Sequence, residues 1–299
     1  MSEFWSTWVI VLVAINLGVT VFLFLWGLRV EIPTQPDGTS GHVWAHGVLR
    51  EAVRRLPTWW VVLSAASLIA GIGYLALYPA LGASAGALGW TSGDELARDQ
   101  DANRRLKAPL LERLRGKPLE TIAADPDALR VGQVLFVENC AVCHGREARG
   151  NRALGAPDLT DNEWLHGGTG KAILTSILEG RQGAMPAFGG AKSDREIRDL
   201  ANYVLSLSGR THDSLRAHFG KPQFSACAAC HGADGKGNTA LGAPNLTNSV
   251  WLYGGGIEDI VETIRRGRNG AMPAFRDRLG EDNASLVAAW VYAQSRPAR

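Results

Sequence analysis

Two long apolar stretches lie near the start of the chain, separated by a polar segment. The first covers residues 4–28 and the second residues 57–78, and neither contains a charged side chain. As helices rising 1.5 Å per residue, both could cross a hydrocarbon core of about 30 Å. Aromatic residues, which favour the lipid–water interface, lie near their ends: Trp5, Trp8, Trp26, Trp59, Trp60, Tyr74 and Tyr78. The pattern predicts two transmembrane helices.

The first stretch could alternatively be a cleaved signal peptide. The tip before it carries Glu3 and no Lys or Arg, whereas signal peptides begin with positive charge. The residues that follow, Arg29 to Pro33, contain no small-x-small cleavage site. We therefore expect a retained membrane helix.

The flanking cations predict the orientation of the two helices. Cytoplasmic loops of membrane proteins are enriched in Lys and Arg. The N-terminal tip has no side-chain cation, and none follows Tyr78 until Arg98. The loop between the stretches carries four arginines: Arg29, Arg50, Arg54 and Arg55. This distribution predicts a cytoplasmic loop with both termini outside, so in a bacterial inner membrane the large C-terminal portion would be periplasmic.

The membrane anchor is predicted to comprise residues 1–79. A linker and a surface helix follow it in residues 80–124. Residues 80–93 are rich in Gly and Ala, and the charged segment 94–115 is helix-prone. A further helix is predicted to start at Asp125-Pro126-Asp127, where Asp is a favourable N-cap and Pro suits the first turn. That helix would lead into Cys140.

An internal repeat divides the rest of the chain. Residues 140–188 align without gaps to 227–275, and 28 of 49 positions are identical. We expect two copies of one small domain, residues 125–210 and 211–299. Each copy should end in a helix, the first over 193–207 with Ser193 and Glu196 spaced as a capping box, the second over roughly 282–294.

All four cysteines lie in two Cys-x-x-Cys-His motifs, the attachment signature of haem c. In this motif each thiol adds to a haem vinyl group, and the adjacent His binds the iron. A redox dithiol or half of a zinc site would use similar spacing. Two copies at equivalent repeat positions on the exported side of a membrane disfavour both alternatives. The motif residues are Cys140, Cys143 and His144, then Cys227, Cys230 and His231.

Two methionines are candidates for the second axial ligand of each iron. Besides Met1, the chain contains only Met185 and Met272, each 45 residues after the first Cys of its motif and followed by Pro. Met more often fills gaps in a core. The identical position of the only Met in each copy favours ligation, which raises the reduction potential and leaves no open site on the iron. The spacing leaves open whether each Met serves its own repeat or its neighbour.

Other repeated residues are weaker candidates. Arg181 and Arg268 precede the Met segments and either pair with haem propionates or are solvated. Trp164 and Trp251 either donate to a propionate through the indole nitrogen or pack against the porphyrin edge.

The remaining histidines are not predicted to bind haem iron. His166 aligns with Tyr253 in the second copy, so it is not expected to be a ligand. His42 and His46 would share one face of a possible cytoplasmic helix at i, i+4, a spacing that can bind metal. No third ligand is close in sequence, so exposed positions near the membrane are the preferred interpretation.

Charge excludes one class of partner. The formal net charge is only +2, and the sequence contains no basic helix or aromatic stripe. We therefore expect no nucleic-acid binding.

The full chain resembles the di-haem subunit, subunit III, of cbb3-type cytochrome c oxidases. The haem motifs occur in many cytochromes, and more specific segments carry the likeness: Phe4-Trp5-Ser6, Leu56-Pro57-Thr58-Trp59-Trp60, Leu77-Tyr78-Pro79-Ala80-Leu81-Gly82 and Gly89-Trp90-Thr91. The resemblance implies an all-α fold, with two N-terminal transmembrane helices followed by two tandem class I-like cytochrome c domains. It also implies two covalently bound haem c groups, with axial ligands His144, Met185, His231 and Met272.

The resemblance further implies a place in respiration. Such a subunit accepts electrons from a periplasmic donor cytochrome c and passes them to a mono-haem subunit. They continue to the haem–copper catalytic subunit, which reduces oxygen while protons are pumped. This chain itself would then carry no catalytic site.

Two departures from the family pattern stand out. The loop before the second apolar stretch is usually acidic, and here reads Arg50-Glu51-Ala52-Val53-Arg54-Arg55. The approach to the second haem motif, residues 219–224, is one residue out of register with residues 132–136. The helix leading into that motif is therefore expected to be shorter or differently packed.

Two other functions are considered. A di-haem cytochrome of another membrane dehydrogenase or reductase would share the repeats, but a generic anchor has one span. A di-haem peroxidase needs one iron with a vacant site, whereas both copies carry the same Met segment.

Overall fold

The computed structural model describes residues 2–53 and 56–296, so Arg54 and Arg55 of the basic loop lie outside the described residues. The chain divides into two compact units, Met1–Leu106 and Lys107–Arg299. The structure is mostly helical, as predicted. It also contains two small antiparallel sheets of two strands each, so the all-α expectation is correct only in outline.

The membrane anchor consists of two helices, α1 (Glu3–Gly27) and α2 (Thr58–Leu77). Both are long and apolar enough to cross a membrane, and none of their described residues is buried within the protein. The backbone N–H of Ala83, beyond α2, donates to Ser6 Oγ at 2.9 Å, near the start of α1. The two helices therefore run antiparallel, as the predicted loop between two spans requires.

The loop between α1 and α2 is a β-hairpin, formed by β1 (Thr39–Trp44) and β2 (Leu49–Ala52). The helix considered through His42 and His46 is therefore wrong. Cross-strand hydrogen bonds to Glu51 explain the hairpin, because Trp44 Nε1 donates to its carboxylate at 2.6 Å and Ser40 Oγ at 2.9 Å. His42 lies in β1 and His46 in the turn, and residues 2–53 and 56–296 contain no cluster of three metal-binding side chains.

A run of helices leads to the first haem motif, and the first of them begins in the first unit, before Lys107. The predicted N-cap is confirmed, because the Asp125 carboxylate accepts from the backbone N–H of Asp127 and of Ala128, both at 3.0 Å. The predicted surface helix is also confirmed. The elements are α3 (Ser92–Leu114), α4 (Leu119–Ile122), α5 (Pro126–Asn139), α6 (Ala141–His144), α7 (Gly170–Glu179) and β3 (Arg181–Met185).

The second repeat follows the same order of elements with one local difference. The predicted capping box is confirmed at Ser193 and Glu196, whose backbone N–H groups each bond to the other's side chain. This capped helix, α8 (Asp194–Leu207), ends the first repeat. The elements of the second repeat are α9 (Ser214–Gly220), a 3₁₀ turn (Lys221–Phe224), α10 (Ser225–His231), α11 (Ile257–Arg266), β4 (Arg268–Met272) and α12 (Arg276–Gln294).

The approach to the second haem motif is shorter, as the register shift predicts. α5 runs for 14 residues into the first motif, whereas α9 has only seven residues and is followed by the 3₁₀ turn. Phe136 lies four residues before Cys140, and Phe224 lies three residues before Cys227; both phenyl rings are buried. A 3₁₀ turn has three residues per turn instead of 3.6, so the tighter winding keeps Phe224 in the core despite the missing residue.

The second unit has two apolar cores, and they do not follow the sequence repeat. The first core joins α5 and α7 of the first repeat to α12 of the second. The other core joins α8 of the first repeat to α9 and α11 of the second. Each repeat therefore supplies its last helix to the core that contains the other repeat's haem motif.

Matching contacts establish this crossing. A Cβ on Gly132 in α5 would lie 2.3 Å from the carbonyl oxygen of Leu286 in α12. A Cβ on Gly220 in α9 would lie 2.1 Å from the carbonyl oxygen of Asp199 in α8. Leu286 and Asp199 occupy equivalent repeat positions, so both helix pairs cross at a glycine that allows close backbone approach.

The two strands of the repeat pair with each other where the chain crosses. Arg181 pairs with Met272, Gly183 with Gly270, and Met185 with Arg268 in an antiparallel ladder. Gly183 and Gly270 are equivalent repeat positions, so the ladder is symmetric about this pair. The chain leaves the first core after β3, builds the whole second core, and returns through β4.

Candidate functional site

Each Cys-x-x-Cys-His motif lies on one turn of helix. The backbone N–H of His144 donates to Cys140 O at 3.0 Å, and Cys140 is the C-cap residue that follows α5. Cys140 is buried, whereas Cys143 is exposed. In the second motif Cys227 is half-buried and Cys230 is exposed. One thiol of each pair therefore faces the core and the other lies at the surface.

The two motif histidines have the same environment. Both imidazoles are 8% exposed. Nδ1 of His144 lies 3.1 Å from the carbonyl oxygen of Pro157, and Nδ1 of His231 lies 3.1 Å from that of Pro244. A carbonyl oxygen only accepts, so Nδ1 carries the proton and Nε2 keeps its lone pair. Burial lowers the pKa of His144, which favours the neutral imidazole that can bind a metal.

The two buried cysteines do not suit a zinc thiolate. Burial raises the pKa of the Cys140 thiol to about 11 and also raises the pKa of Cys227. Thiolate ligands need the opposite shift, because the metal binds the deprotonated sulfur. The environment of these two thiols therefore favours the protonated form over a bound zinc thiolate.

The two candidate Met ligands lie in opposite cores. Met272 of the second repeat packs against the core that contains Cys140, and Met185 of the first repeat packs against the core beside Cys227. The backbone shows the same exchange: Phe275 N–H donates to Ile177 O at 2.9 Å, across the repeat boundary.

Two glycines make room for the exchanged Met segments. Gly180 ends α7 with φ +70°, and a Cβ there would lie 2.4 Å from the carbonyl oxygen of Met272. Gly267 ends α11 with φ +70°, and a Cβ there would lie 2.3 Å from the carbonyl oxygen of Met185. Sequence reasoning missed both positions, although the repeated Gly-Arg pair before each strand was a signal.

The two tryptophans provide a test of whether haem fits these cores. Trp164 Nε1 and Trp251 Nε1 are the buried side-chain polar atoms without a hydrogen-bond partner in the part of the chain that the structure describes. Leaving a buried donor unpaired costs about 1–3 kcal/mol. Trp164 packs against the first core and Trp251 against the second. A propionate of a haem in each core would satisfy these donors, so the residues fit the group.

Arg181 and Arg268 each bond to a hydroxyl group of the preceding helix. Arg181 Nε donates to Ser176 Oγ at 2.9 Å, and Arg268 Nε donates to Thr263 Oγ1 at 2.9 Å. Both arginines are therefore held in place. The hydroxyl residues, which sequence reasoning missed, occupy equivalent positions in the repeat.

His166 and Tyr253 lie where the two repeats meet. A Cβ on Gly242 would lie 2.4 Å from His166 Cε1, and one on Gly155 would lie 2.5 Å from Tyr253 Oη. The Arg268 guanidinium stacks 4.4 Å from the centroid of the Tyr253 ring. These contacts show that both side chains pack against glycines of the opposite repeat.

Comparison with known protein families covers most of the chain. The family described as "Cytochrome C oxidase, cbb3-type, subunit III" matches residues 127–204 and 212–291. The family described as "N-terminal domain of cytochrome oxidase-cbb3, FixP" matches residues 36–85, which include the hairpin and α2.

Similar proteins carry matching names. The Cbb3-type cytochrome c oxidase subunit CcoP of Rubrivivax gelatinosus is 39% identical over 99% of this chain and 98% of its own length. The Cbb3-type cytochrome c oxidase subunit FixP of Azorhizobium caulinodans is 39% identical over 85% of this chain and 92% of its own length. The CcoP subunit of Cereibacter sphaeroides is 36% identical over 87% of this chain and 95% of its own length.

Proposed function

The chain belongs to the subunit III family of cbb3-type cytochrome c oxidases, and we propose that it carries electrons through two covalently bound haem c groups with exchanged methionine ligands. It is a membrane-anchored electron-transfer subunit of an oxygen-reducing oxidase. The family sets this role, and the proposal concerns how the chain's residues perform it.

Each haem would be held by residues from both repeats. The first haem would be attached to Cys140 and Cys143, with His144 and Met272 as axial ligands. The second would be attached to Cys227 and Cys230, with His231 and Met185. The observation that carries this assignment is the packing of each Met against the core containing the other repeat's motif.

Haem supplies one-electron redox chemistry when bound, and the protein controls its access and potential. The proline carbonyl oxygens orient both histidines, and the thioether ligands would favour the reduced iron. Trp164 and Trp251 would each donate to a propionate. Both irons would be six-coordinate, which suits electron transfer and argues against a peroxidase.

The partners follow from this role. We infer a periplasmic donor cytochrome c, a mono-haem subunit as acceptor, and contact of α1 and α2 with membrane lipid and the haem–copper catalytic subunit. The arginines of the loop favour a cytoplasmic hairpin, with both termini and the haem-binding portion in the periplasm.

Haem content is the direct test of the proposed function. A pyridine haemochrome assay should report two haems c per chain, and acid–acetone should extract neither, because thioether bonds resist it. Replacing Cys227 and Cys230 with Ala should reduce the value to one. A value near one for the unchanged chain, or extractable haem, would contradict the proposal.

The two spans should dock the chain rather than only tether it. A single apolar helix already anchors a protein almost irreversibly. A Cβ added to Gly18, Gly71 or Gly73 would meet no atom of residues 2–53 and 56–296 within 4 Å, so these small residues would allow close approach by another helix. Five further small residues lie between positions 64 and 70 of α2: Ser64, Ala65, Ala66, Ser67 and Ala70.

A chimera in which one unrelated membrane helix replaces residues 1–80 tests this docking. We expect it to carry both haems and to accept electrons from small reductants, but not to restore oxygen consumption to membranes that lack the native chain. A chain lacking residues 1–80 altogether is the matched control for loss of anchoring. Full oxidase activity of the chimera would show that the spans serve only as an anchor.

A further inference from the structure

The loops that follow the two haem motifs share one backbone structure. We define them as attachment loop 1, residues 145–156, and attachment loop 2, residues 232–243. In loop 1 the N–H of Gly150 donates to His144 O at 2.9 Å, and in loop 2 the N–H of Gly237 donates to His231 O at 2.8 Å. A bridge closes each turn, between residues 151 and 156 and between residues 238 and 243. Both loops are therefore held directly against the axial histidine.

The two loops differ in charge although their backbones match. Both contain one exposed ion pair at the same position, Glu147–Arg149 at 3.5 Å and Asp234–Lys236 at 3.4 Å. Loop 1 carries two more cations, at positions where loop 2 has Ala and Thr. The additional residues are Arg146 and Arg152, which align with Ala233 and Thr239.

The additional arginines have no evident role in stabilising the fold. Arg146 and Arg152 are exposed, and neither forms an ion pair with any residue in the described ranges 2–53 and 56–296. Loop 2 adopts the same structure without them. Glu138 is exposed on the last turn of α5, next to loop 1. Even when it is counted with the residues of loop 1, three arginines (Arg146, Arg149 and Arg152) stand against two carboxylates (Glu138 and Glu147). Their charge is therefore available to a partner.

Exposed apolar side chains lie beside these cations. Val142, between the two motif cysteines, is 82% exposed, and Leu154 at the tip of loop 1 is 59% exposed. Cys143 is exposed as well, so its thioether would bring the haem edge to the surface here. In the second motif Ala229 replaces Val142, which leaves a smaller apolar surface.

A small exposed apolar surface beside an excess of positive charge is typical of a transient interface. Short-lived redox encounters bury less than about 1,200 Å², whereas permanent subunit interfaces are larger and more apolar. Complementary charge raises the rate at which such partners meet. The surface formed by Val142 and loop 1 has the features of the transient class.

From this asymmetry we infer that attachment loop 1 docks an acidic, soluble electron-donor protein, so that electrons enter at the haem held by Cys140 and Cys143. The inference rests on the proposed function and deepens it by assigning the entry site and the charge of the donor. Loop 2, with its balanced charge, is the weaker docking site.

Stopped-flow reduction of the intact, purified oxidase tests this inference with two probes. One is a reduced basic cytochrome c, and the other is its succinylated derivative, in which carboxylates replace the lysine charges. At an ionic strength of about 10 mM, where the Debye length is roughly 30 Å, the succinylated donor should react faster. Replacing both Arg146→Ala and Arg152→Thr, which gives loop 1 the residues of loop 2, should slow that donor by about 3- to 10-fold.

Matched variants separate charge from structure. The Arg146→Lys, Arg152→Lys variant should keep the fast rate, because it keeps the charge. Arg130→Ala, which removes an exposed arginine from α5 about 15 Å along the helix from Cys140, should have a clearly smaller effect. The reverse change, Ala233→Arg with Thr239→Arg, should raise the rate of the succinylated donor further.

Three results would overturn the inference: faster reduction by the basic donor, an unchanged rate in the Ala/Thr variant, or an equal loss in Arg130→Ala. Dithionite distinguishes such a failure from failure of the proposed function. If dithionite reduces three haems c per oxidase in every variant, two of this chain and one of the mono-haem subunit, while the donor rates contradict the expectation, only the entry site is wrong. If it reduces fewer than three in the unchanged oxidase, the proposed function itself fails.

Discussion

Replacing Met272 with His should lower the reduction potential of the haem attached at Cys140 and Cys143, although Met272 belongs to the other repeat. Met272 packs against the core that contains Cys140, and Phe275 bonds to Ile177 in that core. Imidazole stabilises the oxidised iron relative to thioether ligation, and axial ligands set haem potentials over a range of about 0.8 V. We expect a decrease on the order of 0.2 V, measured by spectroscopic redox titration.

A spectral label identifies which haem responds. Replacing Cys143 with Ala leaves one vinyl group unsaturated, so the α band of the haem at the first motif moves to longer wavelength. In the Cys143→Ala, Met272→His variant the labelled haem should titrate at the lower potential. In the matched Cys143→Ala, Met185→His variant the unlabelled haem should do so. The opposite pairing would mean that each Met serves its own repeat, and no change in either variant would make both residues core fillers.

Replacing Trp290 with Ala should destabilise the core that holds the first haem. Trp290 lies near the end of the second repeat, far in sequence from the first haem motif. Trp290 is 6% exposed, and its ring centroid lies 4.5 Å from that of Phe136, which precedes the first motif. Truncating a buried Trp to Ala costs about 3–5 kcal/mol, a large part of the total stability of a domain. Denaturant unfolding of the full chain in detergent, followed at the labelled α band, measures the loss.

The equivalent residue in the first repeat provides the control. Tyr203 aligns with Trp290, and its ring lies 5.2 Å from that of Phe224, which precedes the second motif. Tyr203→Ala should therefore destabilise the unlabelled haem's core. Each substitution is expected to act on the haem of the opposite repeat. If Trp290→Ala acted first on the unlabelled haem, the crossing of the helices would be refuted.

Local features of the chain were predictable because neighbouring residues determine them. The N-cap at Asp125 and the capping box at Ser193 depend on side chains within three residues of the helix start. The shorter approach to the second motif followed from a one-residue shift relative to Phe224. The hairpin at His42 and His46 was missed, because its formation depends on bonds from Trp44 and Ser40 to Glu51, up to 11 residues away.

The sequence by itself determined the two apolar helices, several helices of the repeats, the haem motifs and the family, because spacing and composition act over short distances along the chain. It could not determine which repeat completes which core. The two copies are identical at 28 of 49 positions, so a helix or Met segment of either copy presents nearly the same surface to both cores. The tertiary structure decided the exchange, because the Gly183–Gly270 strand pair and the crossings at Gly132 and Gly220 form only between repeats.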